Sequence, residues 1–426
     1  MPESPTFSRR VALGGAGALA ATLALPGATA QASGRDLLIF LALDGFDIDY
    51  LDGRVPMPHL TGLARRGSLT TSTGVMATIT NPSWTAISCG TYPDHTENAA
   101  YYYDPVAGVA QGQSRASKVE GLGQAWRAQG ILIGSAQWFI LQDKGVALGD
   151  PDGLYTQPGG RIDRRVDDAI SMLRGDPVDS GGTPVTMPRR PDFLAVYSSD
   201  IDGDGHSYGP NDPRMLDTLR ETDAAIGRLI KAVHDLDLSG RTTWIVTADH
   251  GMAEWNTPMA PQAIAALTGA GFRPEVVASG GRPTSADTDI VLISGGSISS
   301  VHLLGAADDA AVDRARRALA VVEGVSAVLT KADQARLRMA PQYGQLVLEL
   351  AEPYALTTAP PAEGSDGRHG SRAELHVPLI MSGRRIRPGS KPRTPHHVDL
   401  AATMSAILGV DPPAASEGRV LRESLR

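Results

Sequence analysis

Four short apolar runs set the frame of the chain: Leu37–Leu43, 193–197, 243–247 and 377–381. They are continuous rather than alternating, which predicts strands buried on both faces, as in a parallel sheet. Polar clusters lie beside them. Asp44-Gly45 ends the first, an acidic glycine loop at 200–205 follows the second, Asp249-His250-Gly251 follows the third, and His369-Gly370 shortly precedes the fourth. Between the runs, Leu216, Leu219, Ile226, Leu229, Ile230 and Val233 recur at helical spacing over 213–236, and 398–408 reads as another helix ended by Gly409. Alternating strands and helices predict an α/β fold with a mostly parallel central sheet and helices on both faces. Such sheets bind ligands beyond the carboxyl ends of their strands, where the polar clusters fall.

The stretch 258–345 lacks paired histidines and carboxylates. Runs at 290–293, 313–322 and 325–329 suggest a small strand–helix–strand insertion acting as a cap. The main domain is then 33–257 together with 346–426. Ahead of it, Ser8-Arg9-Arg10 precedes an apolar run at 11–25. Small-residue sites follow at Ala28-Thr29-Ala30 and Ala30-Gln31-Ala32. That order predicts a twin-arginine signal peptide over 1–32, export to the periplasm or beyond, and cleavage. The run is shorter than the ~20 apolar residues that span a bilayer, so no stable membrane insertion is expected.

Composition narrows the chemistry. The 426 residues are 42% hydrophobic, enough for a large core. The net charge of −8 argues against a nucleic-acid polymer as partner. Cys89 is the single cysteine, so no intrachain disulfide forms and no cysteine zinc site exists. Any metal site must use histidine and carboxylate.

The candidates are Asp44, Thr80 in Thr78-Ile79-Thr80-Asn81-Pro82, Asp202 and His206 in Asp202-Gly203-Asp204-Gly205-His206-Ser207-Tyr208-Gly209, Asp249-His250, and the distant His369. Mixed histidine and aspartate ligands suit zinc. Two close metal ions suit in-line displacement at phosphorus, and coordination can activate a threonine hydroxyl. Pro82 fits a helix start, with N–H groups available to phosphoryl oxygens. A calcium loop at 200–211 is the competing reading, but Asn211 stands where the pattern needs glutamate. His59, His95, His234, His302, His376, His396 and His397 lack a carboxylate at ligand spacing and read as structural or surface residues.

These motifs, in this order from residue 37 to residue 408, resemble the type I phosphodiesterase/nucleotide pyrophosphatase branch of the alkaline phosphatase superfamily. The resemblance implies two zinc ions, with manganese or iron as alternatives. Asp202, His206 and His369 would hold one; Asp44, Asp249, His250 and Thr80 would hold the other. It implies that Thr80 attacks phosphorus and forms a phosphothreonine that water then hydrolyses. The substrate would be a small phosphoester, either a phosphodiester or a nucleotide pyrophosphate. Two positions differ from the family pattern: Asn81 follows the nucleophile, and Ala100 stands near a usual asparagine. Asn81, Asn98 and Tyr101 are the candidates to hold the phosphate instead, with Trp84, Trp138 and 101–103 as candidate base contacts. Thr-Asn-Pro also resembles phosphonoacetate hydrolases, so a phosphonate or phosphomonoester substrate is the alternative. Sulfatases need Cys-x-Pro, whereas Cys89 precedes Gly90-Thr91.

Overall fold

In the computed structural model, which describes residues 35–305 and 308–426, the first apolar run is the centre of a seven-stranded sheet. The expected signal peptide lies outside the described residues. In chain order the strands of the two larger sheets are β1 (Leu37–Leu43), β2 (Ser68–Thr73), β3 (Ile133–Ala136), β4 (Gly153–Tyr155), β5 (Phe193–Ser198), β6 (Thr242–Thr247), β7 (Pro274–Val276), β8 (Ile290–Ser294), β9 (Ile298–Leu303), β10 (Val325–Thr330), β11 (Leu346–Leu350) and β12 (His376–Gly383). The main helices are α1 (Pro58–Arg66), α2 (Thr80–Cys89), α3 (Leu122–Ala128), α4 (Ile162–Arg174), α5 (Asp200–Tyr208), α6 (Pro213–Asp235), α7 (Ala260–Gly269), α8 (Asp309–Ala320) and α9 (Asp399–Leu408).

The main sheet runs β2-β12-β6-β1-β5-β3-β4. Side chains of β1 alternate between two cores. Leu37, Ile39, Leu41 and Leu43 pack with α1, α4 and α6 on one face. Leu38, Phe40 and Ala42 pack with α2, α3 and α9 on the other. This double burial is why the run reads as unbroken hydrophobicity. The pairings β1–β6, β1–β5, β3–β5 and β3–β4 are parallel. β12, expected to be parallel, instead pairs antiparallel with both β6 and β2. A run buried on both faces looks the same in either direction, so hydrophobicity alone could not set its sense.

The acidic glycine stretch is also a correction: it is a helix, α5, not a loop. Its carboxylates face different ways. Asp200 accepts from Ile162 N–H, and Asp204 pairs with Arg161 and Thr218. No calcium loop forms. Two glycines weaken this helix intrinsically, and tertiary contact restores it. A Cβ on Gly367 would lie 2.4 Å from the Gly205 carbonyl oxygen, so the two backbones approach as only glycines allow.

The insertion is larger than strand–helix–strand. Its sheet runs β7-β8-β9-β11-β10, with α7 and α8 on a shared core. β9 carries Ser299, Ser300 and His302, so it does not read as apolar, and β11 lies past the expected boundary at 345. Ile298, Leu329 and Val347 of this sheet pack against Met76, Ala77 and Ile79, the segment leading into α2. No helix among the described residues is long and apolar enough to cross a membrane.

Candidate metal centre and nucleophile

Asp44 stands at the carboxyl end of β1, Asp249 and His250 just past β6, Asp202 and His206 on α5, and His369 just past the short strand Asp366–Arg368. The helix α5 places Asp202 and His206 four residues apart, on one face. All six converge into two groups that could each hold an ion, Asp202-His206-His369 and Asp44-Asp249-His250.

Each histidine is held the same way. The Nδ1 of His206 lies 2.8 Å from the Gly367 carbonyl, that of His369 2.8 Å from the Thr78 carbonyl, and that of His250 3.0 Å from the Gly251 carbonyl. A carbonyl only accepts, so each Nδ1 carries the proton and each Nε2 presents a lone pair. These lone pairs face the site. The Nε2 atoms of His206 and His369 are 3.2 Å apart, and both lie within 3.5 Å of Asp202 Oδ1. His250 Nε2 is 3.4 Å from Asp44 Oδ1 and 3.2 Å from Asp249 Oδ2.

The carboxylates are divided in the same manner. Asp44 Oδ2 accepts from the Tyr197 hydroxyl, and Asp249 Oδ1 accepts from Gly45 N–H. Asp44 Oδ1, Asp202 Oδ1 and Asp249 Oδ2 are buried without a hydrogen-bond partner. Buried polar atoms are ordinarily paired. Lone pairs facing lone pairs, with orphan carboxylate oxygens between them, fit divalent cations. The nitrogen and oxygen donor set fits zinc.

The electrostatics agree. Burial pushes the Asp44 carboxyl up to about 7, with the Asp202 charge adding to it. Burial likewise lifts Asp202 to about 7 and Asp249 well above the carboxylate range. Burial drives His250 far below its ordinary value and His369 down to about 3, so both imidazoles stay neutral. These are the states expected of ligands lacking their counter-charge.

Thr80 opens α2 and sits half-buried, its Oγ1 3.3 Å from His250 Nε2. Asn81 N–H, the next donor of the first turn, meets Gln113 Oε1 at 2.9 Å, and Gln113 Nε2 lies 3.4 Å from the Tyr101 hydroxyl. The structure thus brings Asn81 and Tyr101 together through Gln113, a residue with no motif to announce it. Asn98 takes a different role. It is buried, and its amide donates to the Ser114 and Ala116 carbonyls, holding the segment that carries Gln113. Trp84 and Trp138 are fully buried in the core and offer no stacking face. Access lies on the His206 side, where 43% of the side chain is exposed.

The remaining histidines behave as expected of structural residues where their contacts are seen. His302 accepts from Tyr103 N–H inside the second sheet, and His397 is a buried neutral ring against Gly74. A third cluster escaped notice in the sequence: Asp94, His95 and Glu417 lie together. Arg338 already pairs with both carboxylates, at 2.6 Å and 2.9 Å, so the cluster is an ion-pair network.

A model of the type I phosphodiesterase / nucleotide pyrophosphatase family matches residues 38–372. Human ectonucleotide pyrophosphatase/phosphodiesterase family member 7 is 27% identical over 245 residues, 54% of this chain and 52% of its own. A bis(5'-adenosyl)-triphosphatase of Xenopus laevis is 29% identical over 226 residues, 51% of this chain and 47% of its own. The chain spans about half the length of these curated relatives. Human ectonucleotide pyrophosphatase/phosphodiesterase 5 shares the fold at a TM-score of 0.70 and 18% identity, covering 92% of this chain and 100% of that one. Its murine counterpart, solved as an inactive variant with AMP, superposes at 0.69 and 18% identity, covering 92% and 100%. With a family model covering most of its length, the chain belongs to the type I phosphodiesterase/nucleotide pyrophosphatase family.

Proposed function

We propose that this protein is an exported metal-dependent phosphodiesterase, cleaving small phosphodiesters or nucleotide pyrophosphates through a covalent phosphothreonine at Thr80. The observation that carries the reading is Thr80 Oγ1, at the head of α2, 3.3 Å from a buried histidine–carboxylate cluster with orphan oxygens. Relatives named as pyrophosphatases and phosphodiesterases, and one solved with AMP, support a nucleotide-like substrate. Export rests on the residues 8–32 pattern alone.

Asp202, His206 and His369 would hold one zinc ion and Asp44, Asp249 and His250 the other. Bound there, the two ions would lower the pKa of the Thr80 hydroxyl and offset charge on the phosphoryl oxygens. Thr80 Oγ, having given up its proton, attacks phosphorus, the leaving oxygen departs on the opposite side and takes up a proton, and the other ester group stays on the phosphorus now bonded to Thr80. Water then displaces Thr80 Oγ, restoring the hydroxyl. Asn81 N–H, at the α2 N-terminus, is placed to donate to a phosphoryl oxygen once Gln113 gives it up.

The test is a rate comparison of a nitrophenyl phosphodiester, a nitrophenyl phosphomonoester and phosphonoacetate. The diester should be fastest; a faster phosphonoacetate would favour the phosphonate hydrolase reading. Thr80→Ala should lower kcat by about 10⁴-fold or more while both ions stay bound. A Thr80→Ala rate equal to wild type would remove Thr80 as nucleophile.

A further inference from the structure

Glu374 touches neither candidate ion-binding group directly, yet it joins the segments that form both. It is 3% exposed. Its Oε2 accepts from Gly370 N–H at 3.1 Å and Ser371 N–H at 2.7 Å, the two residues after His369. Thr78 Oγ1, two residues before Thr80, lies 3.4 Å away, accepts from Gly370 N–H at 3.0 Å and donates to the Ser371 carbonyl at 2.8 Å. Its Oε1 accepts from the Ser297 hydroxyl at 3.0 Å, in the β8–β9 turn of the cap. Ser297 N–H in turn donates to the His369 carbonyl at 2.8 Å. The Glu374 carbonyl accepts from Gly251 N–H at 2.9 Å, beside His250.

A capping box with Ser371 is present, and it accounts for the Ser371 bond alone. The bonds to Gly370 and Ser297 lie outside it. The carboxylate thereby adds to the Thr78 and Ser297 backbone bonds of this loop and ties it to the nucleophile segment on one side and to the cap on the other. His369 Nδ1 takes its carbonyl partner from that same nucleophile segment, at Thr78.

The geometry points to Glu374 as a positioning residue. Its carboxylate locks the His369 loop against Thr78 and Ser297, so that the imidazole of His369 and the hydroxyl of Thr80 keep one fixed relation. This rests on the two-ion reading of the site. It adds that the cap, through Ser297, takes part in holding an ion ligand rather than only shaping access. A ligand held this way should lose affinity when the hold is cut, by about 10- to 100-fold, as outer partners of metal ligands do.

The experiment is a chelator titration of zinc-loaded wild type, E374A, E374Q and S297A, with thermal melting and kcat and KM for a nitrophenyl phosphodiester recorded alongside. E374A should release one zinc equivalent about 10- to 100-fold more readily, with the second unmoved, and kcat should fall more than KM changes. E374Q keeps one oxygen for the two N–H donors and presents its NH₂ to Ser297 Oγ, so it should recover to within a few-fold. S297A should shift the same equivalent by less. Wild-type release from E374A and S297A overturns the proposal. So does equal loosening of both equivalents in step with a lowered melting temperature, the mark of a merely structural role. If E374A does not fold, S297A and E374Q decide: wild-type release from S297A overturns it. Zinc release is read without substrate, so absent turnover in wild type would count against the proposed activity only, and absent zinc binding in wild type against the site reading.

Discussion

At Asp44 two pressures compete: burial favours the neutral acid, and the site's chemistry needs the anion. Asp44 and Asp202 hold their protons up to about pH 7 in the metal-free fold, against ~3.9 for an unfolded aspartate. Between those values the folded chain binds more protons than the unfolded one. The contribution of these two groups to metal-free stability is therefore full at low pH and is lost as pH rises through 7. A cation must displace those protons, so its affinity should climb about tenfold per pH unit for each proton lost. The melting-temperature gap between loaded and stripped protein should widen from about pH 5 to about pH 8; a constant gap would contradict this. The Tyr197 hydroxyl, which aims Asp44 by donating to Oδ2, is testable alone. Tyr197→Phe should weaken the ion at the Asp44 group by about tenfold and leave the Asp202 group unchanged, read by chelator competition. Residue types and order made Asp44, Asp249, His250 and His369 legible in the sequence. Tyr197, Gln113 and the Ser297 contact of Glu374 were not, because each acts across more than thirty residues and so leaves no local pattern.

At the scale of elements, the strands with ligands at their ends were legible because double burial makes them uniformly apolar. What the pattern could not carry was α5. Asp-Gly-Asp-Gly has the composition of a loop, and tertiary contacts hold it as a helix, among them the close approach of Gly367 to Gly205, the packing of Met252 and the burial of Ile201. That helix is what brings Asp202 and His206 to one face. Gly367→Ala puts a methyl 2.4 Å from a backbone oxygen that cannot yield cheaply. It should cost about 1–3 kcal/mol of stability and loosen the ion at His206. Thermal melting with zinc titration checks both; an unchanged melt and affinity would mean the close approach is not needed.

Across the whole molecule, the main sheet supplies ligands at strand ends on a rigid base, while the cap sheet leans on the segment leading into α2. Ile298→Ala removes a fully buried side chain from that contact and should cost about 2–5 kcal/mol. If the cap only roofs the site, kcat will be unaffected in the folded fraction; if it steadies Thr80, kcat will fall as well, which this account expects. The second sheet was legible only in part: the runs at 290–293 and 325–329 fall in β8 and β10, whereas serine-bearing β9 and the late β11 gave no sign of belonging with them.

The central claim is that Thr80 becomes covalently bonded to phosphorus during turnover. Rapid acid quenching of the zinc-loaded protein with a phosphodiester, followed by tandem mass spectrometry of the peptide containing Thr80, measures it directly. The expected result is an adduct on Thr80 made of the phosphoryl group with the one ester substituent that does not leave, appearing within the first turnover and absent from Thr80→Ala. Full turnover with no adduct on Thr80, or an adduct on another residue, would contradict it.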